Sequence, residues 1–192
     1  MTESIHKKFS VLRGFHNVSL DVRKDYEVIE FEPGKLINIR RLIKAGYAKE
    51  DLRQYCDDVD EFVEEGYFTI ASLRKNGFVS KLDELGFDDR FYATILAVDQ
   101  RFAYTKAFHS VILYKGDRSK EITKTSFISD RMKDYESIDL DSFVDEIRND
   151  YGLKDLNRED VKQVADNTDL YYDSIMDKVY LNERYYYEEF DD

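Results

Sequence analysis

Twice along this chain of 192 residues the apolar positions switch from a helical spacing to an alternating one, and that recurrence limits the possible folds more than any other feature. A period near 3.6 turns one face of a helix inward, and a period of 2 does the same for a strand. In the first cycle, 67–70 is short, aromatic and β-branched, which reads as a strand. A helix over 71–76 closes at Gly77, and Leu82 and Leu85 mark another that stops at Gly86. Asp88 or Asp89 caps a third, with Phe91, Tyr92, Ile95 and Leu96 on one face. After Asp99 the period becomes 2, and 101–105 and 110–115 read as strands joined near 106–109.

The second cycle starts at Asp141. Phe143, Val144, Ile147 and Tyr151 make an amphipathic helix ended by Gly152, and Asn157 caps a second with Val161, Val164 and Ala165 inward. A hairpin follows over 170–173 and 178–181, and Asn182 caps a last helix over 183–190. Segments 82–85, 99–104 and 111–115 align with 153–156, 167–172 and 178–182 through small insertions. Identity is low, so the repeat is architectural and not of the solenoid kind.

Before the first cycle, 26–32 alternates like a strand and Pro33-Gly34 marks a turn. Leu36, Ile39, Leu42 and Ile43 then predict a helix up to Gly46, and Leu52, Tyr55, Val59, Phe62 and Val63 a second ending at Gly66. Between the cycles, Thr125 or Ser126 caps a helix over 125–135 that buries Phe127, Ile128 and Met132 and reads as a connector. The expected fold class is therefore α+β and helix-rich: tandem winged-helix-like modules, each of three helices plus a β-hairpin wing, preceded by a helical pair. The expected boundaries are a strand and helix-pair region over 1–66, a first module over 67–120, a helical connector over 121–137 and a second, acidic module over 138–192.

Two stretches carry a family resemblance. Tyr67-Phe-Thr-Ile-Ala-Ser-Leu-Arg-Lys-Asn-Gly-Phe, followed by Leu-Asp-Glu-Leu-Gly-Phe-Asp-Asp-Arg-Phe-Tyr ending at Tyr92, and Leu170-Tyr-Tyr-Asp-Ser-Ile-Met-Asp-Lys-Val-Tyr-Leu181, resemble bacterial winged-helix modules of the HARE type. Such modules occur in sigma-factor-like and restriction-associated proteins, and a related one forms the folded part of the RNA polymerase delta subunit. The resemblance covers roughly 67–190, rests mostly on packing residues and leaves 35–66 unaccounted for. It implies a bacterial, cytoplasmic setting and an association with DNA and transcription regulation.

Charge refines that expectation. The net charge is −12, which taken whole opposes nucleic acid. Residues 1–120 hold 20 basic and 20 acidic side chains, whereas 121–192 hold 9 against 21, so the entire deficit lies after residue 120. Within the neutral part, 35–49 carries Lys35, Arg40, Arg41, Lys44 and Lys49 with no acid. A second basic stretch, 101–124, carries Arg101, Lys106, Lys115, Arg118, Lys120 and Lys124 against Asp117 and Glu121. Between them 57–65 packs six acids, read as the outer face of a helix. Candidate nucleic-acid contacts are Arg40, Arg41, Lys44, Arg90, Arg101, Lys106, Lys115 and Arg118. In the second module the third helix and the wing are acidic and would repel phosphate. The third helix of the first offers few side chains suited to base edges, because Asp88 and Asp89 dominate its start.

Enzyme signatures are lacking: no Gly-rich phosphate loop, no His pair at metal spacing and no Gly-x-Ser-x-Gly. His6, His16 and His109 are scattered, and Cys56, the single cysteine, lies beside the apolar stripe of a helix as a structural thiol. Asp139 and Asp141 precede a helix, where capping explains them, and Asp160 with Lys162 falls on a helix rather than a nuclease strand. Tyr171, Tyr172 and 185–187 suit packing, although tyrosines also stack on single-stranded bases. One cysteine fits a reducing compartment. No apolar run approaches ~18 residues, so no membrane span is expected, and the polar start after Met1 gives no signal-peptide pattern. The leading expectation is a non-enzymatic, nucleic-acid-associated regulatory or adaptor protein with no cofactor or metal, facing phosphate through the first wing and the 35–49 helix and a protein through its acidic C-terminal module. The alternative is a protein-interaction module whose acidic residues 138–192 dock on a basic partner or mimic DNA charge.

Overall fold

The computed structural model describes residues 25–117 and 119–189, an α+β chain of short helices and small antiparallel sheets. It divides into two compact units. Among the described residues, one holds 25–104 and 113–117 and the other holds 105–112 and 119–189.

The first unit opens with β1 (Val28–Glu32) and β2 (Lys35–Asn38), an antiparallel pair turned at Pro33-Gly34, where Gly34 takes φ 73°. The helical spacing from Leu36 is thus corrected: Leu36 and Ile37 pair across to Glu30 and Ile29. Helix α1 (Ile39–Lys44) begins only where the Asn38 side chain accepts from the Arg40 amide. Leu36 stands three residues before Ile39, a spacing that suits a helix, but a lone apolar residue also suits a strand, and the cap decides where one gives way to the other. Helix α2 (Lys49–Phe62) ends before Gly66, which is the first residue of β3 (Gly66–Phe68). Helix α3 (Ile70–Lys75) follows at once, with Thr69 and Ser72 forming a reciprocal capping box. A 3-10 turn over Lys81–Leu85 closes on Gly86 in the left-handed region, and α4 (Asp89–Val98) leads into β4 (Phe102–Ala107) and β5 (Ser110–Lys115). The sheet order is β3-β5-β4, with Tyr67 opposite Tyr114 and Phe68 opposite Leu113.

Aromatic rings fill this core. Tyr55 of α2 lies 5.7 Å from both Tyr92 and Phe78, and Phe91 stacks on Phe87 at 4.3 Å. Leu52, Val59, Ile95 and Leu96 are fully buried around them, and α4 also packs on β1. The β1–β2 pair is therefore part of the unit's core, through Ile29.

In the second unit α5 (Lys124–Met132) precedes β6 (Ser137–Asp139), a strand without a distinct sequence signal. Then come α6 (Leu140–Tyr151), α7 (Arg158–Ala165), β7 (Tyr171–Asp173), β8 (Lys178–Tyr180) and α8 (Glu183–Glu188). The sheet order is β6-β8-β7, with Ile138 and Tyr172 both opposite Val179. Helix α5 is capped by Thr123, not by Thr125 or Ser126. Its Phe127, Ile128 and Met132 are buried, and it packs on α7 inside this unit. Gly152 in the left-handed region ends α6, and Leu153 and Leu156 close the core between α6 and α7.

Candidate functional site: charged surfaces of the two units

Helix α2 sets the electrostatics of the first unit. Its acids crowd the C-terminal half, where the helix carbonyls already point outward, and its last turn has no basic residue of its own. Two cations from elsewhere in the chain answer this. Lys115 on β5 donates to the backbone carbonyls of Asp60 at 2.5 Å and Val63 at 3.0 Å, and reaches the Asp60 carboxylate at 3.1 Å. It acts as a C-terminal cap supplied by the hairpin. Arg101, just before β4, bonds Asp99 through two nitrogens at 2.7 and 3.0 Å, Asp57 at 2.7 Å and Asp60 at 3.4 Å. The Asp99 hydrogen bonds, before any other cause, hold its guanidinium protonated. Burial pushes the Asp99 carboxyl up, but the Arg101 hydrogen bonds outweigh it and leave the group below its ordinary value.

The candidate phosphate contacts therefore separate into two kinds. Arg90 pairs with the buried Glu30 at 3.1 Å, and Arg101 and Lys115 are engaged as above. Arg40, Arg41 and Lys44 are exposed on α1 and make no ion pair among the described residues. Lys106 is exposed on β4, and Arg118 lies outside the described residues, as do His6 and His16. The chain passes from Lys44 into the N-terminal end of α2, whereas Lys115 binds the other end. Fourteen residues of helix rise about 21 Å, so Lys44 precedes one end of α2 while the hairpin's Lys115 holds the other.

The second unit uses its cations internally too. Arg158, at the start of α7, bonds Asp177 at 2.6 and 2.7 Å and Asp141 at 2.7 Å, and Tyr172 donates to Asp177 at 2.8 Å. Arg158, then Tyr172, holds the Asp177 carboxyl below the usual range. Lys124 pairs with Asp160 at 2.5 Å and Lys162 with Glu159 at 3.1 Å. The exposed Asp166 and Asp169, between α7 and β7, make no ion pair among the described residues. Asp139 caps α6 by accepting from the Ser142 amide, and Asp141 belongs to the Arg158 cluster. Tyr171, Tyr180 and Tyr186 pack ring against ring, with centroids 4.5 to 6.2 Å apart.

Cys56 is buried with its sulfur 3.6 Å from the Tyr26 hydroxyl, and burial pushes its thiol up to about 12. A thiol so protonated is a core residue. His109 sits in the β4–β5 turn at φ 54°, exposed and 3.3 Å from Asp155. Among the described residues no group of three His, Cys, Asp or Glu is placed to hold a metal, and no helix is long and apolar enough to cross a membrane.

Sequence reasoning missed the internal use of Arg101 and Lys115. The signal that could have found it is the acidic run 57–65, which needs cations, close to neutrality with the rest of the first 120 residues. Comparison with family models, with curated proteins and with solved structures finds no match for the chain.

Proposed function

We propose that this protein is a non-enzymatic adaptor built from two winged-helix modules, whose acidic second module docks on a basic protein partner. The repeated topology carries the reading. Two runs along the chain each hold a helix, a strand, two helices and a hairpin in that order, as α2-β3-α3-α4-β4-β5 and as α5-β6-α6-α7-β7-β8. In each, the first strand pairs with the last strand of the hairpin. This connectivity supports the resemblance to HARE-type modules and extends each repeat backward by one helix, to α2 and α5. On this reading α7 is the helix a DNA-binding relative would set in a groove. Its Arg158 and Lys162 are engaged with carboxylates while Asp166 and Asp169 stand open, which favours a cationic partner over phosphate.

The test is affinity capture with the full chain after nuclease treatment. A basic protein is expected to be retained, with cross-links falling on 119–189 and retention reduced by Asp166→Lys with Asp169→Lys. Retention that vanishes with nuclease would replace this reading by a nucleic-acid-bridged one.

A nucleic-acid-associated role has its own supporting observation, the open cations Arg40, Arg41 and Lys44 of α1. It assigns phosphate contact to α1 instead of the hairpin. Non-specific duplex binding at low salt is then expected to fall when these three become Glu, and a lack of any binding to the unaltered chain removes this second reading.

A further inference from the structure

The C-terminal turn of α2 and the loop after α3 enclose an open groove of about 450 Å³, lined by Asp58, Glu61, Phe62, Gly77, Phe78 and Val79. Its floor is apolar. The Phe62 and Phe78 rings meet edge to face at 5.2 Å, yet Phe62 remains 42% exposed and Val79 83% exposed. Two large apolar side chains left in water beside a shallow, open groove mark a surface that gains by being covered.

The rim says what kind of group would cover it. The acids of α2 separate by the side of the helix they occupy: Asp57 and Asp60 meet Arg101 and Lys115, while Asp58 and Glu61 line the groove. Asp58 accepts only the neutral Gln54 amide, at 2.7 Å, and neither Asp58, Glu61 nor Glu64 makes an ion pair among the described residues. Asp58 and Glu61 are one turn apart, so they repel each other, and both sit near the negative end of the helix dipole. Lys115 answers the helix end on the other side, but neither Asp58 nor Glu61 has a cationic partner among the described residues, and a cation brought to the rim relieves their mutual repulsion.

We infer that this groove binds a short segment of a partner protein in which an aliphatic or aromatic side chain is flanked by Lys or Arg. The apolar residue covers Phe62, Phe78 and Val79, and the flanking cations meet Asp58 and Glu61. The surface belongs to the first unit, so it is independent of the acidic second-unit surface proposed above.

A fluorescein-labelled peptide, Lys-Lys-Leu-Lys-Lys-Phe-Lys, titrated with the full chain at low salt and followed by anisotropy, tests the inference. Saturable binding is expected. It should weaken at least tenfold in Phe62→Ser and in Val79→Ser, several-fold in Asp58→Asn with Glu61→Gln, and at least tenfold when Ser replaces Leu and Phe in the peptide. Val79→Ser alters a side chain that the fold does not bury, so its effect reads binding and not folding. No saturable binding overturns the inference. So does binding that these groove substitutions leave unchanged while Asp166→Lys with Asp169→Lys weakens it, because the peptide then follows the charge of the second unit.

Discussion

The two units are built around runs of elements with one order and one sheet order, but they differ in which charges they leave open. In the first, the hairpin's Lys115 and neighbouring Arg101 hold the acidic end of α2, and the open cations are those of α1. In the second, Arg158 and Lys162 are engaged along α7, and the exposed Asp166 and Asp169 beside it, like Lys154 before it, make no ion pair among the described residues. The repeated run of elements thus keeps cations engaged in both copies, while the open cations of the first unit lie on α1, outside that run, and composition alone identifies neither arrangement. A cation counted in a basic stretch describes a surface only after its intramolecular partners are subtracted.

The comparison breaks most sharply if α5 does not belong to its unit's core. Phe127 is 0% exposed and its ring meets Tyr151 at 5.1 Å. Phe127→Ala is expected to destabilise the second unit by about 3–5 kcal/mol, measured by denaturant unfolding. A helix that merely connects two modules would lose less than ~1 kcal/mol, and that result would separate the two repeats.

A smaller effect tests the staple of the first unit. Arg101→Gln leaves Asp57, Asp60 and Asp99 facing one another, and a loss of about 2 kcal/mol is expected. The pH dependence should change with it. The Asp99 carboxyl lies below its ordinary value of 3.8 when folded, so the unfolded chain binds more protons as acid is added. Its stabilising contribution is complete above that ordinary value and is lost as pH falls through the lower folded one. Acid melts of Arg101→Gln should show a flatter slope in that window, and an unchanged slope would mean that Arg101 does not set the Asp99 carboxyl.

How much of this was legible in the sequence follows from which signals are local. Asn157 and Asn182 are caps as expected, and Gly77, Gly86 and Gly152 follow the segments they were expected to close, because capping depends on a few neighbouring residues. The strands β2 and β6 were not legible. Each is only a few residues long; β6 is defined by β8, about 40 residues away, whereas β2 lies next to β1 across Pro33-Gly34 and was hidden by the helical spacing of Leu36 and Ile39. Missing β6 hid the shared sheet order, and with it the place of α5 at the head of the second repeat. Arg101 and Lys115 were readable as basic, but their partners Asp57 and Asp60 lie about 40 to 55 residues away.

The smallest effect concerns a cap. Asn157 accepts from the Asp160 amide at 3.2 Å at the start of α7, and Asn157→Ala is expected to cost about 1 kcal/mol. Thr69→Ala removes the equivalent cap of α3 in a buried setting, and should cost at least as much. Thermal unfolding of the two variants ranks them, and a reversed ranking would contradict the tighter burial of the first cap.

The most direct test of the claim that the hairpin cations of the first unit serve its own fold is paired measurement of melting temperature and low-salt duplex DNA affinity for Lys115→Gln and Arg101→Gln. The account predicts a lowered melting temperature in both variants, with any DNA affinity of the unaltered chain retained while they remain folded. An unchanged melting temperature with weakened DNA binding would contradict it.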